Sequence, residues 1–342
     1  MRVLNYLELE GKLTRSGIGT ATKNQRNALN LTDIDVVSDP WNSKNNIALN
    51  SSNIDVVHCN LFGPGSLAVS QFAKNRNIPL ILHAHVTAED FSDSFRGSNN
   101  LAPLLKKYLR WFYSLADYVL CPSNYTKTIL DTYPIKSPIK AISNGIDASS
   151  LTGFESLRHN YRDMYNLSGP AIFSVGNVFE RKGLTTFCEL AKQTDHNFIW
   201  FGPYAKGPYA SKVVRGWTQN PPENLTFTDW IEDKRGAYAA GDIFCFPSKV
   251  ENQGLSVLEA MACGKAVILS DIPVFQEYYT HGKDCLMCHS VGEFKQSVDL
   301  LCEDSTLRDK LGKNAQKTAQ KHDLNSLSHN LEDIYTSILN SF

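Results

Sequence analysis

The distribution of apolar residues divides the chain into short, continuous apolar runs separated by longer segments with helical spacing. In the first half, strand-like runs occupy residues 3–7, 34–37, 56–58, 80–83, 118–121 and 139–142. In the second half, they occupy residues 171–175, 198–201, 225–227, 243–246 and 266–269. Strands that are buried on both faces have continuous apolar sequences, and parallel neighbours need a crossover between them. The alternation therefore predicts an α/β protein with parallel sheets.

Two series of strands and helices are separated by the polar segment 147–169, which we interpret as a linker. The length of 342 residues also exceeds that of one domain of about 100 to 200 residues. We predict a first domain over residues 1–150, a second over 151–323, and a C-terminal helix over 324–342. This helix has an apolar stripe at Leu324, Leu327, Leu331, Ile334, Tyr335 and Ile338. A stripe of this kind needs a surface to cover, and we expect the helix to pack back on the first domain.

Composition is typical of a globular protein and argues against a nucleic-acid partner. Apolar residues make up 42% of the sequence and charged residues 20%, and the formal net charge is −1. Binding to nucleic acid through bulk electrostatics would need a clear positive balance. The N-terminal segment becomes polar too early for a signal peptide, and no later run approaches about 18 apolar residues. We therefore expect a cytoplasmic protein.

The eight cysteines are scattered through predicted strands and helices and do not form a disulfide framework, so we expect reduced thiols. Cys285 and Cys288 have C-x-x-C spacing. No second pair or nearby histidine cluster completes a four-ligand zinc site around them. We predict no metal ion and no cofactor.

The most informative stretch, residues 244–268, has the pattern of a strand, a loop, a helix and a second strand. The helix is predicted to begin near 254–256 and to end at Gly264. Its free N–H groups then lie at the carboxyl end of the preceding strand, where a phosphate binds well. Glu251 in the loop and Glu259 in the helix can accept hydrogen bonds from hydroxyl groups of such a ligand. The alternative is a solvated loop glutamate and an ordinary surface glutamate.

A second cluster of candidate binding residues follows the predicted strand at 171–175. The turn after this strand contains Arg181 and Lys182. A planar guanidinium and an ammonium group are suited to stabilise a departing diphosphate as its negative charge develops. The alternative is a pair of solvent-exposed basic residues without a ligand.

Two features of the first domain also lie where α/β proteins bind ligands. Gly17 and Gly19 precede a predicted helix, where they either allow a ligand phosphate to approach the backbone or form a plain turn. His83 and His85 lie at the carboxyl end of the strand at 80–83. We expect His85 to face the ligand cleft and His83 to point to the other face of the strand. A purely structural role for His85 is the alternative.

Together these motifs resemble those of the family-4 retaining glycosyltransferases. Glu251 and Glu259 match the E-x7-E motif of that family, and Lys182 with Gly183 matches its Lys-Gly pair. The resemblance implies the GT-B fold, in which two Rossmann-like domains face a central cleft. It also implies a nucleotide sugar as the donor substrate.

The resemblance also assigns expected roles to individual residues. His85, Arg181, Lys182 and Glu251 are the expected catalytic residues, and His85 would contact the donor sugar. Glu259 would hold the ribose hydroxyl groups. The sugar and the phosphates would face Glu251, Asn252, Gln253, Gly254 and Leu255, with the loop at Gly17 and Gly19 closing over the phosphates. The sequence departs from the family at Asn177, where many relatives carry an arginine, so Arg181 would take over that phosphate contact.

Residues 101–116 predict a helix with basic and aromatic faces. Its candidate surface residues are Lys106, Lys107, Arg110 and Trp111. A helix of this composition can lie on an anionic membrane surface and contribute to acceptor binding. The alternative is that Trp111 and Phe112 pack in the core while the cations are solvated.

A finer similarity covers nearly the whole chain and includes segments 10–19, 85–91 and 198–202. In these segments the sequence looks like the branch of Gram-positive enzymes that glycosylate diacylglycerol. The similarity implies a UDP-dependent hexosyltransferase that adds glucose or galactose to monoglucosyldiacylglycerol, in the synthesis of glycolipids and lipoteichoic acid anchors. The implied partners are a nucleotide sugar, a glycolipid acceptor and the inner face of the plasma membrane.

The sequence leaves three alternatives open. The same chemistry could act on a capsule precursor, a teichoic-acid precursor or a protein. A nucleotide-sugar epimerase or a phosphorylase could use the same architecture, since fold does not determine function. A catalytically silent protein that binds sugar nucleotides is the third alternative.

Overall fold

The computed structural model describes residues 1–38, 53–207 and 210–342, and these residues fold as two units. The first unit comprises Met1–Ala88, Pro103–Asp147 and His322–Phe342. The second comprises Glu89–Ala102 and Ala148–Lys321. Each unit contains one six-stranded parallel sheet, so the prediction of an α/β protein is confirmed.

The sheet of the first unit has the strand order β2-β1-β3-β4-β5-β6. Its strands are β1 (Arg2–Tyr6), β2 (Asp35–Val37), β3 (Val56–Cys59), β4 (Leu80–His83), β5 (Tyr118–Cys121) and β6 (Ile139–Ala141). The helices of this part of the chain are α1 (Glu10–Leu13), α2 (Gly17–Leu29), α3 (Pro64–Asn75), α4 (Ala88–Phe91), α5 (Ser98–Tyr113) and α6 (Asn124–Asp131). Every residue of β3 and β4 is buried, which explains their continuous apolar sequences.

The sheet of the second unit has the strand order β12-β11-β10-β7-β8-β9. Its strands are β7 (Ala171–Val175), β8 (Asn197–Phe201), β9 (Leu225–Phe227), β10 (Ile243–Phe246), β11 (Ala266–Ser270) and β12 (Leu286–Cys288). The helices are α7 (Arg158–Met164), α8 (Leu184–Ala191), α9 (Lys212–Gln219), α10 (Arg235–Ala240), α11 (Leu255–Ala262), α12 (Pro273–Tyr278), α13 (Val291–Glu303) and α14 (Ser305–Gln320). Among the described residues, 3-10 turns occur at Ala148–Leu151, Phe154–Leu157 and Glu180–Lys182.

The chain ends in α15 (Leu324–Ser341), which packs on the first unit. Leu331 and Ile334 of this helix belong to the same buried cluster as Val3 of β1 and Val56 of β3. The side chain of Asp323 caps the helix by accepting a hydrogen bond from the backbone N–H of Ser326 at 2.8 Å. The apolar stripe therefore covers the first sheet, as the sequence predicted.

The segment Glu89–Ala102 differs from the domain boundaries that the sequence suggested. The sequence pattern predicts that it lies in the first domain, with all residues up to 150, but it belongs to the second unit. The reason is a set of contacts with Arg181, whose Nη1 lies 2.8 Å from Asp90 Oδ1 and whose Nε donates to Ser94 Oγ at 2.8 Å. The backbone N–H of Arg181 also donates to the carbonyl of Asp93.

The apolar pattern of the sequence did not predict the short strand β12. The feature noted in this region was the C-x-x-C spacing of Cys285 and Cys288. Cys285 and Cys288 are both buried free thiols, and burial raises the pKa of each. Each of the eight cysteines is a free thiol, as expected. Within the described ranges, no helix is both long enough and apolar enough to cross a membrane.

Candidate functional site

Two loops of the second unit lie side by side because the strands before them are neighbours. Strand β7 pairs with β10 in parallel register, so their carboxyl ends lie at the same edge of the sheet. The loops meet at Gly183, which has φ +80°. A Cβ atom at this position would lie 1.9 Å from the carbonyl oxygen of Pro247. The glycine of the Lys-Gly pair is therefore needed both for its backbone conformation and for this close approach.

A group of charged side chains, which we call the charged cluster, lies at this edge of the sheet, and Lys182 and Glu251 form its centre. Lys182 Nζ contacts Glu251 Oε1 directly, and Arg181 Nη1 lies 3.9 Å from the same oxygen. Ser248 Oγ donates a hydrogen bond to Glu251 Oε1 at 2.7 Å. The Glu251 side chain is only 5% exposed. The structure thus brings together three of the four predicted catalytic residues, and the alternative of solvent-exposed charges does not apply to them.

Asp90 and Ser94 complete the cluster, although the sequence analysis did not assign a role to either. Both contact the Arg181 guanidinium, as described above. Burial raises the pKa of Asp90, Arg181 opposes that shift and the nearby Glu251 adds to it. Burial lowers the pKa of Lys182, while its contact with Glu251 acts in the opposite direction. The cluster therefore holds two cations and two carboxylates in a region that is largely closed to water.

The predicted phosphate-binding helix is α11, and it begins after Gly254. This glycine has φ +87° and precedes the first helical residue, Leu255. Asn252 and Gln253 are buried in the loop before it, beside Glu251. The helix has eight residues and no side-chain cap, so the N–H groups at its start and its dipole favour an anion at this end.

Glu259, the second carboxylate of the E-x7-E motif, is held by two neighbours. Its Oε1 lies 2.7 Å from Lys234 Nζ, and its Oε2 accepts a hydrogen bond from Tyr238 Oη at 2.6 Å. Tyr238 is fully buried in α10. Because each oxygen has two lone pairs, both can still accept a hydrogen bond from a ligand. Sequence reasoning missed both partners, since neither belongs to a recognisable motif.

Gly17 and Gly19 do not form a loop ahead of a helix, because both lie in the first turn of α2. The Ser16 side chain caps this helix by accepting a hydrogen bond from the N–H of Gly19 at 3.1 Å. A Cβ atom at Gly19 would lie 2.1 Å from the carbonyl oxygen of Leu13, whereas, apart from its chain neighbours and the backbone of its own helix, no atom of the described residues lies within 4 Å of one at Gly17. Internal packing therefore accounts for Gly19, and no contact with the described residues accounts for Gly17.

His85 is buried in the first unit and hydrogen-bonded to Asn60. The distance from its Nε2 to Asn60 Oδ1 is 3.0 Å, and Asn60 Nδ2 in turn donates to Asn5 Oδ1. Burial lowers the pKa of His85 to about 3, so the ring is neutral near pH 7. The rings of His83 and His85 are stacked, with centroids 3.9 Å apart. The expectation that His83 points to the other face is wrong, because residues two apart in an extended chain share a face.

His83 belongs to a buried polar network that reaches α15. Gln25 Nε2 donates to His83 Nδ1 at 3.1 Å, and His58 Nε2 lies 3.3 Å from the same atom. The other nitrogen of His58 is 2.7 Å from the hydroxyl of Tyr335. Burial lowers the pKa of His58 to about 3 and that of His83 well below its usual value. The network therefore contains neutral histidines.

The exposed face of α5 combines apolar and basic side chains. Trp111 is 48% exposed and Leu104 66% exposed, and Lys107 and Arg110 are exposed beside them. The alternative that Trp111 packs in the core is wrong, although its neighbour Phe112 is fully buried. Lys106 is turned away from this exposed face, with its Nζ over the Tyr133 ring at 4.7 Å from the centroid.

Two family models match the chain. The model described as "Glycosyl transferases group 1" matches residues 165–318, and "Glycosyltransferase Family 4" matches residues 32–150. The first match contains the charged cluster's Arg181, Lys182 and Glu251 together with Glu259. The second contains His85.

Several curated proteins are similar in sequence. The processive diacylglycerol alpha-glucosyltransferase of Acholeplasma laidlawii is 31% identical over 99% of this chain and 99% of its own length. The alpha-monoglucosyldiacylglycerol synthase of Streptococcus pneumoniae is 27% identical over 64% of this chain and 52% of its own. The alpha-galactosylglucosyldiacylglycerol synthase of that species is 32% identical over 31% of this chain and 29% of its own.

Solved structures with low sequence identity share the fold. Alr3699/HepE from Anabaena, in complex with UDP and glucose, has a TM-score of 0.77 at 19% identity and covers 98% of this chain and 100% of its own. Sucrose-phosphate synthase from Thermosynechococcus elongatus has a TM-score of 0.80 at 16% identity, with each chain fully covered. The fold is therefore GT-B, as expected.

Proposed function

This chain belongs to glycosyltransferase family 4, and on that premise we propose that it transfers a hexose from a UDP-sugar to monoglucosyldiacylglycerol with retention of configuration. The hexose is glucose or galactose, and the product is an alpha-linked diglycosyldiacylglycerol. The observation that carries the proposal is the 31% identity, over 99% of both chains, with a diacylglycerol alpha-glucosyltransferase. The charged cluster and the exposed face of α5 support it.

We propose that Arg181 and Lys182 bind the diphosphate of the donor together with the first turn of α11. Both cations are mostly buried, at 13% and 16% exposure, so water screens their charges only weakly. They can stabilise the negative charge that develops on the departing diphosphate. Because two fixed cations supply this charge, we expect transfer to continue when EDTA removes divalent metal ions.

The two glutamates would divide the remaining groups of the donor between them. Glu259 is oriented by Lys234 and Tyr238, and its two oxygens suit the two hydroxyl groups of a ribose. Glu251 would accept hydrogen bonds from hydroxyl groups of the transferred hexose, with Asn252 and Gln253 beside it. In the first unit, the neutral ring of His85 would contact a hydroxyl group of the sugar.

We propose a reaction that retains the configuration at the anomeric carbon and forms no covalent intermediate with the enzyme. The bond between the anomeric carbon and the diphosphate oxygen breaks through an oxocarbenium-like transition state. The acceptor hydroxyl attacks from the face that the diphosphate leaves, and its proton passes to the departing diphosphate oxygen. Arg181 and Lys182 then pair with the phosphates of the UDP product.

We propose that the exposed face of α5 attaches the enzyme to an anionic membrane, where its lipid acceptor resides. Trp111 and Leu104 would enter the interfacial region, while Lys107 and Arg110 would attract anionic headgroups. Attachment of this kind makes the protein peripheral at the inner face of the plasma membrane. Peripheral attachment would also bring the enzyme to its lipid acceptor, because a lipid of this kind stays in the bilayer.

The test uses the purified chain with labelled UDP-glucose or UDP-galactose and vesicles that contain monoglucosyldiacylglycerol. We expect a labelled diglycosyl lipid from one of the two donors. If labelled lipid forms only on vesicles that contain diacylglycerol, the acceptor is diacylglycerol and not monoglucosyldiacylglycerol. Release of UDP without labelled lipid would refute the lipid acceptor, and donor binding without turnover would favour a silent binding protein.

A further inference from the structure

Asp90 shares the guanidinium of Arg181 with Glu251. Arg181 Nη1 lies 2.8 Å from Asp90 Oδ1 and 3.9 Å from Glu251 Oε1, and its Nε donates to Ser94 Oγ. Lys182 contacts the other side of the cluster at Glu251. The proposed diphosphate-binding arginine is thus already paired with a carboxylate that no part of the proposed chemistry requires.

The charges of this cluster balance when no donor is bound. Arg181 and Lys182 contribute two positive charges, and Asp90 and Glu251 contribute two negative charges. The side chains are between 5% and 16% exposed, so solvent compensates an added charge only weakly. A diphosphate that is esterified at both ends brings two further negative charges. Its arrival would leave the cluster with an excess of negative charge.

We propose that binding of a sugar diphosphate is coupled to protonation of Asp90, which releases Arg181 from its carboxylate partner to the diphosphate. The proton comes from solvent and adds to the Asp90 carboxylate. The neutral carboxyl group then has an O–H that can donate to a phosphate oxygen, whereas the carboxylate would repel it. This inference rests on the proposed function, because it assumes that Arg181 and Lys182 bind the donor.

Asp90 is a better proton acceptor than Glu251 for two structural reasons. Glu251 is in direct contact with Lys182 and accepts a hydrogen bond from Ser248, and both interactions stabilise its charged form. Charged groups that face Asp90 include Arg181 and Lys182 from the turn before α8, and Glu251 from the loop before α11. Burial already raises the pKa of Asp90 in this arrangement, and two phosphate charges would raise it further.

The test is calorimetric titration of the full chain with UDP-glucose in buffers of different ionisation enthalpy, without acceptor. UDP-glucose is the suitable probe because neither of its phosphates changes charge near neutral pH. We expect net proton uptake, and affinity that falls by up to about tenfold per pH unit as pH rises. Asp90→Asn should abolish the uptake and make the affinity independent of pH, while its similar size keeps an oxygen beside Arg181.

Two matched variants serve as controls. Asp93→Asn removes an exposed carboxylate from the same segment, where the side chain contacts Asn99 and not the cluster. Ser94→Ala removes a neutral partner of Arg181. Both should retain the proton uptake. Binding of UDP-glucose without proton uptake, or uptake that persists in Asp90→Asn, would overturn this inference alone. A chain that binds no UDP-glucose would overturn the proposed function as well.

Discussion

The hydroxyl group of Tyr238 donates a hydrogen bond of 2.6 Å to Glu259, the second carboxylate of the E-x7-E motif. The tyrosine is completely buried, and its ring packs edge-on against Phe173 with the centroids 5.9 Å apart. The rigid Tyr238 ring therefore holds its hydroxyl group in a fixed position against the Glu259 carboxylate. Together with Lys234, it limits the orientations that Glu259 can adopt.

Tyr238→Phe should weaken donor binding and leave kcat nearly unchanged. A hydrogen bond to a charged group contributes about 1.5–3 kcal/mol, so we expect the Kd for a UDP-sugar to rise by roughly 10- to 150-fold. Titration with UDP and steady-state kinetics measure the two quantities. The matched control is Tyr279→Phe, because within the described residues the buried Tyr279 hydroxyl has no hydrogen-bond partner. Equal effects of the two variants would contradict an orienting role.

Lys182→Met should reduce both activity and stability. Loss of a cation that stabilises the leaving group should lower kcat by about 10²–10³-fold. The same change leaves the carboxylate of Glu251 buried without its lysine, which costs about 3–5 kcal/mol of unfolding free energy. The double variant Lys182→Met/Glu251→Gln should recover much of the stability and none of the activity. Urea unfolding and product formation measure the two effects, and a fully active double variant would refute the site.

Gly183→Ala should destabilise the second unit more than an alanine at another left-handed glycine. Gly282 has φ +75°, and within the part of the chain that the structure describes an added Cβ atom would meet no neighbour within 4 Å, so Gly282→Ala should cost only about 1–2 kcal/mol. At Gly183 the clash with Pro247 adds about 1–3 kcal/mol. Chemical denaturation compares the two variants. Similar losses would show that the loops can separate without penalty.

Trp111→Ser should weaken binding to vesicles rich in phosphatidylglycerol with only a small change in Tm, because the side chain is 48% exposed and its ring contacts are with Tyr108 and Phe112 of the same helix. Removing the charge of Lys107 or Arg110 should weaken it by about 1 kcal/mol each, and only on anionic vesicles. Co-sedimentation with anionic and neutral vesicles measures both effects. Met164→Ser is the control, since Met164 is 63% exposed and lies in the second unit. An equal loss in that variant would argue against a specific face.

Stability should fall as pH is lowered below about 6.5, the ordinary pKa of histidine in the unfolded chain. His58 has a folded-state pKa of about 3, so the unfolded chain takes up a proton that the folded chain excludes. Each such histidine costs about 1.4 kcal/mol per pH unit down to the folded-state pKa. Urea unfolding at several pH values measures the slope. His58→Gln should reduce the slope, whereas a change at the exposed His329 should leave it unaltered.

Local patterns were sufficient for the strands and the positions of the motifs. Apolar runs identified β1 to β11 to within about a residue or two, because strands buried on both faces have continuous apolar sequences. Strand β12 (Leu286–Cys288) was not identified, although β2, β6 and β9 are equally short. The helix at Leu255–Ala262 followed from its glycines and its apolar spacing.

Contacts between distant residues could not be predicted in the same way. Arg181 and Ser94 are 87 positions apart, and Tyr238 and Glu259 are 21 apart. Hydrogen bonds of this kind depend on which loops and helices meet after folding. The spacing of polar residues along the chain does not indicate which residues will become their hydrogen-bond partners. The position of Asp90 in the charged cluster therefore had no signal in the sequence.

The sequence by itself determined the α/β class, the GT-B resemblance and the identity of Lys182, Glu251 and Glu259 as donor-site candidates. These conclusions depend on local hydrophobic periodicity, turn chemistry and motif spacing. Only the tertiary structure decided that Glu89–Ala102 belongs to the second unit and that Asp90 shares Arg181 with Glu251. The physical reason is that electrostatic and hydrogen-bonding partners are set by distance in space, which chain packing determines and spacing along the chain does not.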